Sequence, residues 1–301
     1  MSTDWVVIAN PVAGKGRRMR GLGAAVDTLK RHGIGVEVVW TRAPGDGRAC
    51  AYEAAERGHT RIAIAGGDGT ANEVLNGLAD TGRLSDYTIT TLPFGTANSF
   101  LRDFAMNDPN EAVNRIIRGD ARPCDLLRCT IQRDGAPTEH WVLNNIIVGF
   151  GADVGALMNR RLKPLGHRGY SIGVFTEVIR LNPPTLSVTV DDTLHERRMT
   201  MLNIANSQYT GGTMHISPGA LVDDGFLDVL LIDKLTRLEL LRQFPLIFSG
   251  RHVNRPKIAL TQATRCTVNA GRPMPLLIDG EVVGTTPLSV QVVPNALRFV
   301  R

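Results

Sequence analysis

The sequence predicts an α/β chain: a doubly wound parallel domain, then a mainly antiparallel β domain. Three observations predict it. Short apolar runs alternate with helical patterns through residue 119, strand-like segments separated by turn signals fill most of the remainder, and residues 62–78 (IAIAGGDGTANEVLNGL) read without a break as strand, glycine turn and helix.

Composition narrows the class. The 301 residues, 43% hydrophobic and 21% charged, support substantial cores and exclude a disordered polyelectrolyte. A net charge of +5 suits anionic partners such as lipid headgroups or nucleotide phosphates. Aromatics are 5% with no basic–aromatic interleaving, so no nucleic-acid partner is expected. Cys50, Cys124, Cys129 and Cys266 lack C-x-x-C spacing and paired histidines, which points to reduced thiols and not to disulfides or zinc. No apolar run approaches the ~18 residues of a membrane span, and no signal peptide is visible before Asp4. The expectation is a cytoplasmic protein, peripheral at the inner membrane surface if its substrate is a lipid.

Trp5–Ala9 reads as the first strand and runs into NPVAGKGRR (10–18), a glycine- and cation-rich loop that suits phosphate or a plain strand-to-helix connection. A helical pattern follows to about Lys30 and breaks near His32-Gly33. Val36–Trp40 is the second strand, with Thr41 just beyond its end; APGDG (43–47) then leads to an alanine-rich helix over 48–57. After the third strand, Gly66, Gly67 and Gly69 supply turn conformations that a Cβ resists. Thr70 and Glu73 have the T-x-x-E spacing of a capping box, and Ala71, Val74, Leu75 and Leu78 share a helical face. A helix start behind glycines favours an anion, yet neither G-x-G-x-x-G nor a Walker A ending is present, since Asn72 holds the last glycine position. Asp68 would face the phosphates. At ~4 Å and an effective dielectric of ~20, like charges repel by about 4 kcal/mol, which a divalent cation between them relieves. Gly-Asp-Gly serves equally as a tight turn.

Tyr87–Leu92 is the fourth strand and opens into PFGTANSFLRDF (93–104), where Thr96 and Asn98 are either nucleotide contacts or caps of a helix starting near Ser99. A helix near 110–118 ends at Gly119. Doubly wound sheets bind ligands outside the C-terminal ends of their strands, where Asn10, Thr41 and Asp68 fall.

From about Asp125 strands dominate, over 126–132, 140–150, 186–190, 198–207, 225–232, 257–261, 266–270, 274–284 and 288–293. Two helical insertions interrupt them. One covers 152–181 and carries Arg160, Arg161, Lys163, His167 and Arg168; the other runs from Thr236 to Gly250, with a Thr236/Glu239 capping box, a kink at Pro245 and an apolar set of Leu238, Leu241, Phe244 and Phe248. The expected arrangement is core on one face and solvated charge on the other, with a membrane-facing platform as the alternative. LVDDGF (221–226) places Asp224 between the carbonyls of Leu221 and Phe226, an all-oxygen set suited to Mg²⁺, or else a plain turn. Asp279-Gly280-Glu281 reads as a hairpin tip whose carboxylate could serve as general base on an alcohol.

NPVAGKGR, GGDGTANEVLNGL, LPFGTANSFLRDF, NNIIVGFGADV, NSQYTGGTMHISPGALVDDGFLDVLLI, FSGRHV and IDGE together resemble the diacylglycerol-kinase catalytic-domain family, in particular the soluble bacterial lipid kinases. The resemblance implies an NAD-kinase-like α/β nucleotide-binding domain over 1–124, joined by 288–301, a β-sandwich domain over 125–287, and an active cleft between them. It implies ATP and Mg²⁺ as cofactors and transfer of a phosphoryl group to a diacylglycerol-like hydroxyl at a membrane surface. By position, Gly66, Gly67, Asp68, Gly69, Thr70, Ala71, Asn72 and Glu73 hold the ATP phosphates with Asn10, Thr41 and Thr96 assisting. Asp68 is the catalytic-metal acid, Asp279 takes the proton, Glu281 supports nucleotide or metal, and Leu221, Asp224 and Phe226 form a structural Mg²⁺ site. Phe94 and Ser99 depart from the family's usual Leu and Asp; the second departure removes a charge beside the nucleotide. An NAD kinase, which shares GGDGT, and a sensing module without turnover are the alternatives, and a homodimer is compatible with either.

Overall fold

A computed structural model describes residues 3–16, 18–158 and 166–301. Met1–Leu126 with Val293–Arg301 make one compact unit, and Leu127–Val292 make the other.

In the first unit the elements alternate: β1 (Trp5–Ala9), α1 (Leu22–Arg31), β2 (Val36–Trp40), α2 (Asp46–Glu56), β3 (Arg61–Gly66), α3 (Asp68–Ala79), β4 (Thr88–Pro93), α4 (Pro109–Arg118) and β5 (Ala121–Arg133), whose later residues enter the second unit. The sheet order is β2-β1-β3-β4, all parallel; β1 is apolar throughout and β3 is apolar after the exposed Arg61, because helices cover both faces. The order reverses direction between β1 and β3, the position where such sheets open a crevice for ligands. Helix α3 lies against α2 so closely that a Cβ on Gly77 would stand 2.1 Å from the Arg48 carbonyl oxygen.

The second unit holds β6 (Ala136–Val142), β7 (Asn145–Gly149), α5 (Phe150–Leu157), α6 (Gly166–Ile179), β8 (Thr185–Val190), β9 (Thr193–Ala205), the short pair β10 (Tyr209–Thr210) and β11 (Met214–His215), β12 (Leu227–Asp233), α7 (Arg237–Gln243), β13 (Ile258–Ala263), β14 (Arg265–Ala270), β15 (Pro275–Ile278) and β16 (Glu281–Val300). Pairing runs β13-β12-β9-β7-β15-β16, and β8 and β14 join β9 to β16 on the other side, so the two long strands serve both layers. The last residues of β16 belong to the first unit, where Arg298 and Phe299 pair in parallel with Thr88 and Ile89 of β4. Ile146, Val148, Val229 and Leu231 point into the core between the layers. Their neighbours Ile147, Leu230 and Ile232 point to a second cluster completed by Phe150, Leu240 and Ile247. Strands with two covered faces therefore read as continuous apolar runs.

Three expectations change. Residues 140–150 form two strands, interrupted at Leu143–Asn144. The Thr70/Glu73 capping box is absent: α3 has Gly67 at its N-cap without a side-chain cap, and Glu73 instead accepts the Gly45 and Gly47 N–H groups at 2.9 and 3.1 Å. The second insertion does form its Thr236/Glu239 box and changes to a 3₁₀ turn over Phe244–Ser249 at Pro245, but Leu238, Leu241 and Phe248 are exposed while Leu240 and Ile247 are buried. Of the cations expected on the first insertion, Arg160, Arg161 and Lys163 lie outside the described residues, and His167 and Arg168 are described by backbone alone. All four cysteines are buried and free, and burial pushes the Cys129 and Cys266 thiols up to about 12. No helix among the described residues is long and apolar enough to cross a membrane.

Candidate active site

Four strand ends of the first unit carry the predicted phosphate residues: Asn10 after β1, Thr41 after β2, Gly66-Gly67-Asp68 at the β3–α3 junction and Gly95–Ser99 beyond β4. Two hydrogen bonds tie these loops across the reversal point and between neighbours. Asn10 Nδ2 donates to Thr70 Oγ1 at 3.0 Å, and the Gly95 N–H donates to the Gly66 carbonyl at 2.7 Å. Thr41 is buried, and its N–H donates to the Ala9 carbonyl. Gly67 and Gly95 meet backbone to backbone; a Cβ on Gly95 would lie 2.3 Å from the Gly67 Cα. Glycine is required there by approach distance, not by φ. The N-terminal N–H groups of α3, a helix of 12 residues, face this junction with partial positive charge.

Asp68 opens α3. Its carboxylate accepts the Ser99 N–H at 2.9 and 3.0 Å and the Ser99 hydroxyl at 3.1 Å. Ser99 thus places two donors on Asp68, a partnership the sequence does not signal. Asn98 is a second residue that sequence reasoning left undecided. It is 6% exposed with φ of 49°, its Nδ2 donates to the Gly95 carbonyl, and its buried Oδ1 has no hydrogen-bond partner. Thr96 is exposed. Ala71 and Asn72 are buried in the first turns of α3.

The Asp-Gly-Glu segment lies in the second unit. Asp279 and Gly280 form a two-residue hairpin between β15 and β16, with φ of 49° and 90°, as a type I′ turn requires. Asp279 is 4% exposed. Its Oδ1 accepts the Asn144 and Asn145 N–H groups at 2.9 and 3.1 Å, and its Oδ2 accepts that of Leu143 at 3.0 Å. The interruption between β6 and β7 exists to turn these amides toward the carboxylate. It is pinned from behind, where Asn206 Nδ2 donates to the Leu143 carbonyl at 2.9 Å and Ser207 Oγ donates to Asn144 Oδ1. Glu281, two residues on, is exposed.

A cavity of about 250 Å³ lies in the same unit, lined by Ile147, Val154, Met201, Leu240, Ile247 and Leu277 among others, and it reaches Gly280. Thr200, Thr210, Gln243 and His252 are the polar side chains of a mainly apolar lining. On α5 beside it, burial first and then the Glu177 charge push Asp153 up to about 6, partly offset by Arg272. The sign follows from linkage: the folded state holds this proton more tightly than the unfolded chain, so stability falls as pH rises from about 4 to about 6, and the loss is complete above that. Asp153→Asn is expected to match the wild type below pH 4 and to exceed its thermal midpoint above pH 6. Melting curves across that range check it.

At the proposed structural Mg²⁺ site, Asp224 Oδ1 accepts the Phe226 N–H and Oδ2 accepts Gln262 Nε2, both at 3.0 Å. Burial, then the Asp224 charge, pushes the neighbouring Asp228 carboxyl up to about 6. A hard divalent cation takes oxygen ligands, so here it would share the Asp224 carboxylate with the Phe226 N–H and the Gln262 amide. No cluster of three or more His, Cys, Asp or Glu side chains suited to a metal occurs among the described residues.

An α/β unit with anion-ready strand ends, continued by a β-sandwich-like unit, is of the NAD-kinase-like class. Comparison with known proteins agrees. Residues 4–129 match the diacylglycerol kinase catalytic domain, and residues 144–301 match the YegS C-terminal NAD kinase beta sandwich-like domain. A diacylglycerol kinase of Mycobacterium tuberculosis is 30% identical over 298 residues, covering 98% of this chain and 94% of its own. A Xanthomonas euvesicatoria protein named "Probable lipid kinase YegS-like" is 31% identical over 302 residues, covering 99% and 96%. The crystal structure of a diacylglycerol kinase from Bacillus anthracis superposes with a TM-score of 0.73 at 19% identity over 99% of this chain and 96% of that one. The chain belongs to the diacylglycerol kinase and YegS-like lipid kinase family.

Proposed function

We propose that the chain is an ATP- and Mg²⁺-dependent kinase that transfers the γ-phosphoryl group to the hydroxyl of a diacylglycerol-like lipid. The observation that carries the acceptor class is the apolar cavity ending at Gly280, between the two acids of the Asp-Gly-Glu segment. A polar dinucleotide acceptor would leave its apolar lining without a partner.

In this reading the α3 N–H groups and the Gly67–Gly95 junction cradle the ATP phosphates, with Asn10, Thr41 and Thr96 flanking them. Asp68, oriented by Ser99, is the acid for the nucleotide's cation; Mg²⁺, when bound, neutralises phosphate charge. Leu221, Asp224 and Phe226 would hold the structural ion. The acceptor oxygen attacks the γ-phosphorus in line, the new O–P bond forms as the bond to the β-phosphate oxygen breaks, and ADP leaves. Positioning and charge stabilisation supply most of the rate.

The acid roles differ from the sequence expectation. Asp279 is committed to three main-chain N–H groups and is buried, so its assignment here is to position the hairpin. Glu281 is the exposed carboxylate of the segment and takes the hydroxyl proton. Labelled ATP incubated with a total bacterial lipid extract should yield one labelled phospholipid class. Absence of any organic-phase product from folded protein would refute the reading.

A further inference from the structure

The helices over the apolar cavity have a second apolar face, turned outward. On α7 and the 3₁₀ turn after it, Leu240, Gln243, Phe244 and Ile247 line the cavity, whereas Leu238, Leu241 and Phe248 are 56%, 46% and 49% exposed. Helix α6 packs against α7 and exposes Ile172, Phe175 and Ile179, spaced i, i+3 and i+7 on one stripe. Large apolar side chains exposed together on adjoining helices mark an interaction surface.

Charge identifies the occupant. Residues 234–257 contain six cations, Lys234, Arg237, Arg242, Arg251, Arg255 and Lys257, against one acid, Glu239, which pairs with Lys257 at 2.6 Å. The five other cations are exposed. Two copies meeting through this face would oppose like charges, whereas an anionic bilayer offers phosphates to the cations and acyl chains to the apolar stripes. The cavity lies directly behind the same segment, so a lipid leaving that bilayer need only pass α7.

We propose that α6, α7 and the turn after α7 form a bilayer-docking face that inserts Phe175, Leu241 and Phe248 into an anionic membrane and delivers the acceptor lipid to the cavity. The inference rests on the lipid-acceptor reading for the delivery step; membrane binding itself needs no ATP and is measured separately. The full chain is sedimented with vesicles of phosphatidylcholine alone and of phosphatidylcholine with phosphatidylglycerol. Wild type should bind the anionic vesicles, and Phe175→Ser/Leu241→Ser/Phe248→Ser should lower the partition coefficient roughly 100-fold with an unchanged thermal midpoint. Arg237→Glu/Arg242→Glu should remove most of the preference for anionic vesicles, about fivefold or more per cation. The triple variant should keep wild-type activity on monomeric dioctanoylglycerol and lose it on vesicle-embedded diacylglycerol. Equal vesicle binding by wild type and triple variant would overturn the docking face, as would a dimer in light scattering that the triple variant makes monomeric. Activity of wild type on neither form of the lipid would instead refute the kinase reading, whatever the vesicle result.

Discussion

Glu281→Gln is expected to lower kcat by about 10²–10⁴-fold, the usual contribution of a general base, with an unchanged thermal midpoint. The side chain is exposed at the start of β16. Asp279→Asn is expected to behave in the opposite way. Asparagine tolerates the φ of 49°, so the backbone is not strained. Its amide, however, turns an NH₂ toward at least one of the main-chain N–H donors now satisfied by the carboxylate. Leaving a buried donor without an acceptor costs about 1–3 kcal/mol, which lowers the thermal midpoint by roughly 2–4 °C per kcal/mol in a domain of this size. A stable but inactive Asp279→Asn beside an active Glu281→Gln would return the proton to Asp279.

Gly95→Ala carries the second large effect. The added methyl would lie 2.3 Å from Gly67 Cα, 2.8 Å from Gly67 N and 2.5 Å from Asn98 Oδ1, and two of those three atoms are backbone that cannot rotate away. The loops after β3 and β4 must separate, which costs about 1–3 kcal/mol as overpacking and moves the amides proposed to hold phosphate. The Kd for a fluorescent ATP analogue should rise at least about tenfold, since a misplacement of about 1 Å can cost a positioned site as much as about 10²-fold. Gly23→Ala in α1, where a Cβ meets nothing within 4 Å, is the control and should be neutral or slightly stabilising. Wild-type nucleotide affinity in Gly95→Ala would remove the β3 and β4 loops from the site.

Sequence patterns that depend on near neighbours were legible. The strand, glycine turn and helix over 62–78 are β3 and α3, and the Thr236/Glu239 box forms because both partners lie within one helical turn. What the sequence hid depends on distant partners. Glu73 has capping-box spacing, yet its carboxylate goes to Gly45 and Gly47, whose amides compete successfully for it. Residues 140–150 are apolar enough for one strand, but Asp279, more than 130 residues later, takes the amides at Leu143–Asn145. Helical period groups Leu238 and Leu241 without saying whether a core covers them; the structure leaves them outside. The Asp68–Ser99 contact joins two motifs that were read separately.

The central claim is a lipid acceptor for the phosphoryl group. The most direct measurement offers γ-labelled ATP, Mg²⁺, dioctanoylglycerol and NAD together to the wild type and to Glu281→Gln, then separates organic and aqueous products. Label is expected in the organic phase as a phosphorylated lipid with the wild type and almost none with the variant. Label in NADP, or equal transfer by the two proteins, would contradict it.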